Sequence, residues 1–258
     1  MLILLPPSEG KTAPRRGAPL DLAGLSSPVL TPAREAVLDA LVTLCSGDVA
    51  AAAEVLGVGR TQHDLVTANA ALRSAPTARA DRVYSGVLYD ALDAATLSTS
   101  AKRRAAARVA TTSALLGLVR PGDRIPAYRL SGDAVLPGLG PVAATWRAHL
   151  GPAVEEALGG GLLVDLRSTS YAAFWRPPAD LSRRTATVRV LHEHGGQRKV
   201  VSHFNKATKG RIVRAVLEDG GDPRTPAGLA SQLRDLGWFV EEHPEKAGTR
   251  LDVVVEEL

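Results

Sequence analysis

The first residues that could carry chemistry end at Lys11, in the opening stretch MLILLPPSEGKT. Gly10-Lys11-Thr12 is how a phosphate-binding P-loop ends, and the apolar run from Met1 to Leu5 precedes it as a strand would. A P-loop also needs a glycine five positions before Gly10, where this chain has a leucine. Because Pro6 and Pro7 lack amide donors and no helix pattern follows, the sequence argues against a nucleotide-hydrolysing P-loop.

The same stretch matches Ser-x-x-Lys, the motif in which a lysine activates a serine nucleophile. That chemistry needs Ser8 and Lys11 on one helical turn, and Gly10 among prolines disfavours a helix. No Ser-Asp-Asn or Lys-Thr-Gly element follows downstream. On local sequence alone, an exposed loop lysine remains the main alternative to a functional Lys11.

Three histidines, His192, His194 and His203, lie near one predicted hairpin, where alternate strand residues share a face. No acidic residue completes a familiar metal-ligand spacing, so surface histidines are favoured over a metal site. The single cysteine, Cys45, excludes an internal disulfide and a multi-thiolate centre, and it is predicted to be a buried structural thiol. No metal and no other cofactor is predicted.

Two basic segments are candidates for binding phosphate. The stretch LLGLVRPGDRIPAYR places Arg120, Arg124 and Arg129 around a Gly/Pro turn, which loosely resembles a helix-hairpin-helix that binds nucleic-acid backbone through turn amides. Further on, Lys206 and Lys209 fall in the first turn of a predicted helix, where cations oppose the helix dipole. An anion bound between helix amides and lysines would explain that placement, and a purely structural explanation stays open.

The bulk composition describes a globular protein with a weak preference for polyanions. The 258 residues carry 31 Lys and Arg against 27 Asp and Glu, a formal net charge of +4, with a sequence pI near 9.4. No apolar run approaches the length of a membrane span, and the start lacks the pattern of a secretory signal. The expected location is the cytoplasm, without membrane association.

The elements that must position these residues form a mixed α+β chain. Buried strands are predicted at the start of the chain and at 161–166, a hairpin around 194–196, and two strands that pair at the end. Helices are predicted between them, with capping residues and terminal glycines at their ends. We expect one compact domain over residues 1–258 with a mixed sheet and C-terminal hairpins, and no internal repeat.

Five stretches in order resemble the YaaA family of peroxide-stress resistance proteins (UPF0246-type), and the resemblance runs through nearly the whole chain. They are MLILLPPSEGKT, YSGVLYDAL, LLGLVRPGDRIPAYRL, VDLRSTSYAAFW and VVSHFNKATKGRIVR. The resemblance implies a cytoplasmic bacterial protein that binds duplex and distorted DNA during hydrogen peroxide stress. It also implies a helix-hairpin-helix-like element over about residues 99–132 and a basic cleft with Lys11, Lys206 and Lys209.

Two functional hypotheses follow. In the first, the protein binds DNA phosphates with little sequence specificity through a set of basic residues and one tyrosine: Lys11, Arg120, Arg124, Tyr128, Arg129, Lys206, Lys209 and Arg214. In the second, it is an enzyme acting on a phosphorylated or nucleotide-like small molecule in a cleft lined by Lys11, Tyr84, Tyr89, Asp165, Ser168, Tyr171 and Lys206, with Arg129 nearby. A narrow cavity around Lys11 and Lys206 favours the enzyme, and an open basic channel favours DNA. The number of subunits is left open.

Overall fold

The computed structural model describes residues 1–195 and 197–256, and within these ranges it leaves the side chains of residues 202, 203 and 256 undescribed. The strands of the described part are β1 (Leu2–Leu5), β2 (Ala78–Arg79), β3 (Val109–Ser113), β4 (Gly117–Val119), β5 (Arg124–Ile125), β6 (Val135–Leu136), β7 (Gly140–Pro141), β8 (Leu163–Asp165), β9 (Thr185–His194), β10 (Gln197–Lys199), β11 (Phe239–Glu245) and β12 (Gly248–Glu256).

The α-helices of the described part are α1 (Thr31–Cys45), α2 (Val49–Leu56), α3 (His63–Ala70), α4 (Ala80–Val83), α5 (Val87–Leu92), α6 (Thr99–Arg108), α7 (Val142–Leu158), α8 (Thr169–Ala172), α9 (Ser202–Asp219) and α10 (Pro226–Asp235). Side-chain hydrogen bonds cap the first turn of several of them, among them the predicted cap at Thr225. The Asp48 carboxylate accepts a hydrogen bond from Ala51 N at 2.8 Å before α2. The Thr225 hydroxyl accepts one from Gly228 N at 3.1 Å before α10, which fixes where these helices start.

One mixed sheet organises the chain, in the order β11-β12-β9-β8-β1-β3-β4, with β10 paired to β9. The strands from β12 to β3 run parallel, and β11 and β4 pair antiparallel at the two edges. This confirms the predicted mixed sheet and the two C-terminal hairpins, β9–β10 and β11–β12. Gly196, which was predicted to be part of the first hairpin turn, lies outside the described residues, as do Glu257 and Leu258 of the predicted last strand.

The core lies on both faces of this sheet, and β1 contributes to each face. Leu2 and Leu4 pack into the cluster formed with α1, α2 and α7. Ile3 and Leu5, which alternate with them, pack into the cluster formed with α9 and α10. Because all four residues are buried, β1 reads as a continuous apolar run, as expected for a central parallel strand covered on both faces.

The segment 99–132 does not have the predicted helix-hairpin-helix form. It contains one helix, α6, followed by the buried strand β3, which pairs with β1, and by β4, which turns back on β3. Strand β3 is VATTS, rich in β-branched residues, and it supplies hydrogen bonds that the central sheet needs. The hairpin after α6 is therefore made of strands. At the Gly/Pro turn that follows β4, Arg120 N donates to the Asp123 carboxylate at 2.8 Å and Asp123 N donates to Arg120 O at 3.1 Å. No helix in the described part of the chain has the length and apolar character to cross a membrane.

Candidate functional site

The candidate site lies where the parallel strands β1, β3 and β8 end. Strand β1 pairs with β3 on one side and β8 on the other, so the chain after β1 and the chain after β8 leave the sheet at the same edge. The connections run to opposite sides of β1, and in open α/β sheets such a switch in strand order leaves a crevice at the carboxyl ends. Residues 6–11 follow β1 into this crevice, and residues 166–168 follow β8.

The loop after β1 is held by hydrogen bonds to the α4–α5 region. The Tyr89 hydroxyl donates to Pro6 O at 2.7 Å. The Ser8 hydroxyl donates to Gly10 O at 2.6 Å and accepts from Ser85 N at 3.2 Å. Thr12 N donates to Val83 O at 2.8 Å. Ser8 therefore stabilises the loop conformation, and this role differs from the nucleophilic role that the Ser-x-x-Lys motif predicts.

The Lys11 ammonium is turned inward by this loop. Its Nζ donates to Ser8 O at 2.8 Å and lies 4.1 Å from the centroid of the Tyr128 ring. Burial, followed by the positive charge of Arg129, lowers the pKa of Lys11 to about 7, against a smaller opposing effect of Glu9. Lys11 is therefore a partly neutral amine near pH 7, which suits proton transfer better than the exposed loop lysine that the local sequence favours.

Buried tyrosines form the floor beneath Lys11. The Tyr84 and Tyr128 hydroxyls are 3.1 Å apart, and the Tyr128 hydroxyl is 2.7 Å from Ser113 Oγ at the end of β3. Tyr89 stacks on Tyr84 with ring centroids 5.3 Å apart, and its hydroxyl lies 3.1 Å from Thr111 Oγ1. Burial raises the pKa of Tyr84, Tyr89 and Tyr128. At physiological pH they are neutral hydroxyls.

A cavity of about 390 Å³, called the site cavity below, brings together most of the residues predicted for an enzyme. Its polar lining consists of Ser8, Glu9, Lys11, Ser85, Tyr89, Arg129, Ser131, Asp133, Ser168, Ser170, Tyr171 and Lys206. Five of the seven residues predicted for an enzyme line it, together with Arg129. Tyr84 supports it through the stack on Tyr89. Burial raises the pKa of Tyr171, so this hydroxyl is also protonated at neutral pH.

Arg129 is positioned by hydrogen bonds between its backbone and the Asn69 side chain. Asn69, which is buried, donates from Nδ2 to Arg129 O at 2.7 Å, and its Oδ1 accepts from Arg129 N at 2.9 Å. The guanidinium donates to Glu9 Oε2 at 3.2 Å, while its Nε is buried without a hydrogen-bond partner among the described residues. The Glu9 side chain is 85% exposed. The Arg129 guanidinium therefore has hydrogen-bonding capacity left over, and its partner among the described residues is a loosely held carboxylate.

Asp165 and Lys209, both predicted site residues, lie behind the site cavity. The Asp165 carboxylate is paired with Arg167 at 2.7 Å, and both side chains are buried. Lys209 Nζ donates to Leu166 O at 3.0 Å, and burial lowers the pKa of Lys209 although Asp165 opposes the shift. These groups hold the chain after β8 in place and do not line the cavity.

Three arginines of the predicted DNA-binding set donate hydrogen bonds to backbone carbonyls away from the site cavity. Arg120 Nη1 donates to Ala107 O and Val109 O, at 3.2 Å each. Arg124 Nη2 donates to Thr77 O at 2.8 Å. Arg214 Nη1 donates to Leu92 O and Asp93 O at the end of α5, at 3.0 and 2.9 Å. None of the three lines the site cavity, so the structure does not gather the eight predicted residues on one surface.

The histidines form no metal-ligating group in the described part of the chain. His192 packs its ring 5.0 Å from the Phe204 ring, and the His203 side chain lies outside the described residues. Sequence reasoning missed Asn69, Ser131 and Asp133. Their contribution depends on long-range packing, since Asn69 reaches Arg129 across 60 positions of sequence, and no local pattern marks them.

Comparison with known proteins identifies the family. A model of the family described as "Peroxide stress protein YaaA" matches residues 1–242. A UPF0246 protein of Streptomyces coelicolor is 55% identical over 261 residues, covering 100% of both chains. UPF0246 proteins of Corynebacterium efficiens and Corynebacterium glutamicum are 45% and 41% identical and cover 93% and 98% of this chain, and 95% and 100% of their own. The chain belongs to the YaaA family of peroxide stress proteins.

Proposed function

We propose that this peroxide stress protein is an enzyme that acts on a phosphorylated, nucleotide-like molecule held in the site cavity. The observation that carries the proposal is the convergence of Lys11, Arg129 and Lys206 on one cavity at the carboxyl ends of β1 and β8. Three cationic side chains around about 390 Å³ suit a phosphate group more than an extended polymer. They come from three distant parts of the chain, which only the fold unites.

Each cation has a distinct role in this proposal. Lys206 is exposed at the cavity and has no carboxylate partner among the described residues, so it is available to a phosphate. Arg129 offers a planar guanidinium that binds two oxygens of one phosphate. Lys11, as a partly neutral amine near pH 7, exchanges a proton with the substrate, and the neutral tyrosine hydroxyls donate hydrogen bonds to charge that develops during reaction.

The first experiment measures binding of inorganic pyrophosphate by isothermal titration calorimetry at pH 7. We expect Lys206→Ala to weaken pyrophosphate binding about tenfold, since it removes a charge-assisted contact. Lys246→Ala removes an equally exposed lysine in the turn between β11 and β12 and serves as the matched control, with unchanged affinity. Undetectable binding by the natural sequence would overturn the proposed anion site.

The second experiment tests catalysis. Phosphorylated compounds are incubated with the protein and the products are followed by mass spectrometry. We expect Lys11→Met to abolish conversion, because methionine matches the length of lysine but transfers no proton. Pyrophosphate binding should weaken no more than in Lys206→Ala, since Lys11 is only partly charged near pH 7. Equal conversion by Lys11→Met and the natural sequence would exclude Lys11 from the reaction.

DNA binding is the second candidate function, with DNA phosphates as the partner. The observation in its favour is a set of exposed cations, Arg82, Lys102 and Lys206, that have no carboxylate partner among the described residues. Arg82 and Lys102 line a further cavity of about 580 Å³, which shares Tyr89 with the site cavity. This candidate and the single, buried Cys45 both favour a cytoplasmic location.

A salt titration tests this candidate on duplex, single-stranded and kinked DNA. Binding through phosphates weakens steeply with salt, and Lys206→Ala should lower the slope of log affinity against log salt by about 1. Arg124→Ala tests the predicted hairpin surface, whose arginine already donates to Thr77 O. An affinity that stays constant between low and moderate salt would contradict binding through DNA phosphates.

A further inference from the structure

A second cavity of about 800 Å³ adjoins the site cavity on the other side of Lys11. We call it the neighbouring cavity. Glu9, Gly10, Lys11 and Arg129 line both, so the two spaces are separated by one thin wall made of the loop after β1 and the Arg129 side chain. Arg129 and Lys11 can therefore contact a ligand in either cavity, or one that occupies both.

The two cavities differ in chemistry. The site cavity carries most of the hydroxyls and Lys206, whereas the neighbouring cavity is lined largely by apolar residues of α3 and of the loops beside it, such as Leu65, Ala68 and Pro76. Gln62 and Asp64 also line the neighbouring cavity, and neither side chain has a hydrogen-bond partner among the described residues. Amide and carboxylate groups are those that pair with the edges of nucleobases.

Within the wall, the Arg129 guanidinium meets the loop through one weak contact. This is the Glu9–Arg129 ion pair of 3.2 Å, and the Glu9 carboxylate is largely in water. Because the Glu9 side chain is 85% exposed, water takes over its hydrogen bonds when a ligand displaces it from Arg129. A phosphate offers Arg129 the same oxygen chemistry as Glu9, with more charge and with a geometry that fits the guanidinium fork.

We propose that the two cavities form one bipartite site for a nucleotide: its phosphate displaces Glu9 from Arg129 beside Lys11 and Lys206, and its nucleoside lies in the neighbouring cavity. The inference rests on the proposed phosphate site and adds the place where the nucleoside binds. Glu9 acts as a built-in competitor that holds Arg129 until a phosphate arrives. The nucleotide is either free or an unstacked unit of a nucleic-acid strand, and both present the same groups.

The test compares adenosine monophosphate with inorganic phosphate by isothermal titration calorimetry. We expect the nucleotide to bind at least about tenfold more tightly, because the nucleoside adds buried surface. Ala68→Trp fills the neighbouring cavity and should remove that advantage while leaving phosphate affinity unchanged. Ala106→Trp, on the exposed face of α6, is the matched control and should change neither affinity. Ala71→Leu, which also narrows the neighbouring cavity, replaces Ala68→Trp if that variant does not fold.

Glu9→Gln tests the competition. It should strengthen binding of both phosphate and nucleotide about two- to fivefold, since an exposed ion pair is lost. A duplex with one unpaired nucleotide and a fully paired duplex identify the source of the ligand. If the ligand belongs to a strand, Ala68→Trp weakens binding of the duplex with the unpaired nucleotide and not of the fully paired duplex. If the ligand is a free nucleotide, Ala68→Trp weakens binding of adenosine monophosphate and of neither duplex. Nucleotide that binds no more tightly than phosphate overturns the bipartite site and leaves the phosphate site standing. Absence of binding by both probes overturns both.

Discussion

At the scale of single residues, the function proposed here depends on the environment of one amine. Lys11 is surrounded by Ser8 O, the Tyr128 ring and the Arg129 guanidinium, inside a loop that limits its access to water. Burial and Arg129 destabilise the ammonium, whereas Glu9 stabilises it. The net result is a pKa near 7, and this value is open to direct measurement.

The prediction at this scale concerns the pKa of Lys11. Competitive acylation followed by mass spectrometry should give a pKa near 7, against about 10.4 for an unperturbed lysine. Arg129→Met removes the nearby positive charge and should raise the pKa, so that less neutral amine reacts at pH 7. Glu9→Gln removes a negative charge and should lower it.

The two opposite pKa shifts serve as controls for each other, because a general change in loop structure would shift the pKa of Lys11 in the same direction in both variants. An unperturbed pKa in the natural sequence would contradict the inward position of Lys11. It would also remove the proton-transfer role proposed for this residue, while the phosphate contacts of Arg129 and Lys206 would be unaffected.

At the scale of elements, the packing of α9 on α5 carries Lys206 to the site. Gly210 lies at this contact, and a Cβ atom there would be 2.2 Å from Leu88 O and 2.9 Å from Leu92 N. The backbones of the two helices thus approach too closely for any side chain. Arg214, one turn further along α9, strengthens the same contact by donating to the carbonyls at the end of α5.

The prediction at this scale is that Gly210→Ala destabilises the protein. Alanine favours a helix over glycine by about 0.5–1 kcal/mol, yet overpacking against α5 costs about 1–3 kcal/mol or more. We expect a net loss in the free energy of unfolding, measured by urea denaturation. Arg211→Ala, at the next and exposed position of α9, is the control and should stay within about 0.5 kcal/mol of the natural sequence.

At the scale of the whole molecule, the two faces of the sheet share their central strands. Trp146 is buried in the cluster on one face, where its Nε1 donates to Ala114 O at 2.7 Å. Trp238 packs against the cluster on the other face. Because Leu4 and Ile3 of β1 belong to the two different clusters, loss of either face exposes the strand that supports the other.

The prediction at this scale is a single cooperative unfolding transition. Two variants, one retaining only Trp146 and the other only Trp238, should each show the same denaturant midpoint by tryptophan fluorescence and by far-ultraviolet circular dichroism. A Trp238 fluorescence change that precedes the loss of circular dichroism would instead indicate that the C-terminal face unfolds independently.

Local patterns in the sequence determined much of this protein. The apolar runs, capping residues and turn glycines predicted the mixed sheet, most helices and the C-terminal hairpins, because these features depend on residues close in the chain. The order of five motifs indicated the family. The prediction from these patterns was wrong at residues 99–132, where VATTS after α6 forms a strand because β1 pairs with it across 106 positions of sequence.

Which of the candidates form a site depends on long-range packing. Sequence reasoning proposed Lys11, Arg129 and Lys206 together with Arg120, Arg124 and Arg214, and nothing in their spacing separates the two groups. The loop after β1, the contacts of Asn69 with the Arg129 backbone and the packing of α9 on α5 bring the first group to one cavity. The arginines of the second group donate to backbone carbonyls elsewhere. The pKa of Lys11 could not be predicted from the sequence either, because burial and the distances to other charges depend on the fold and not on position in the chain.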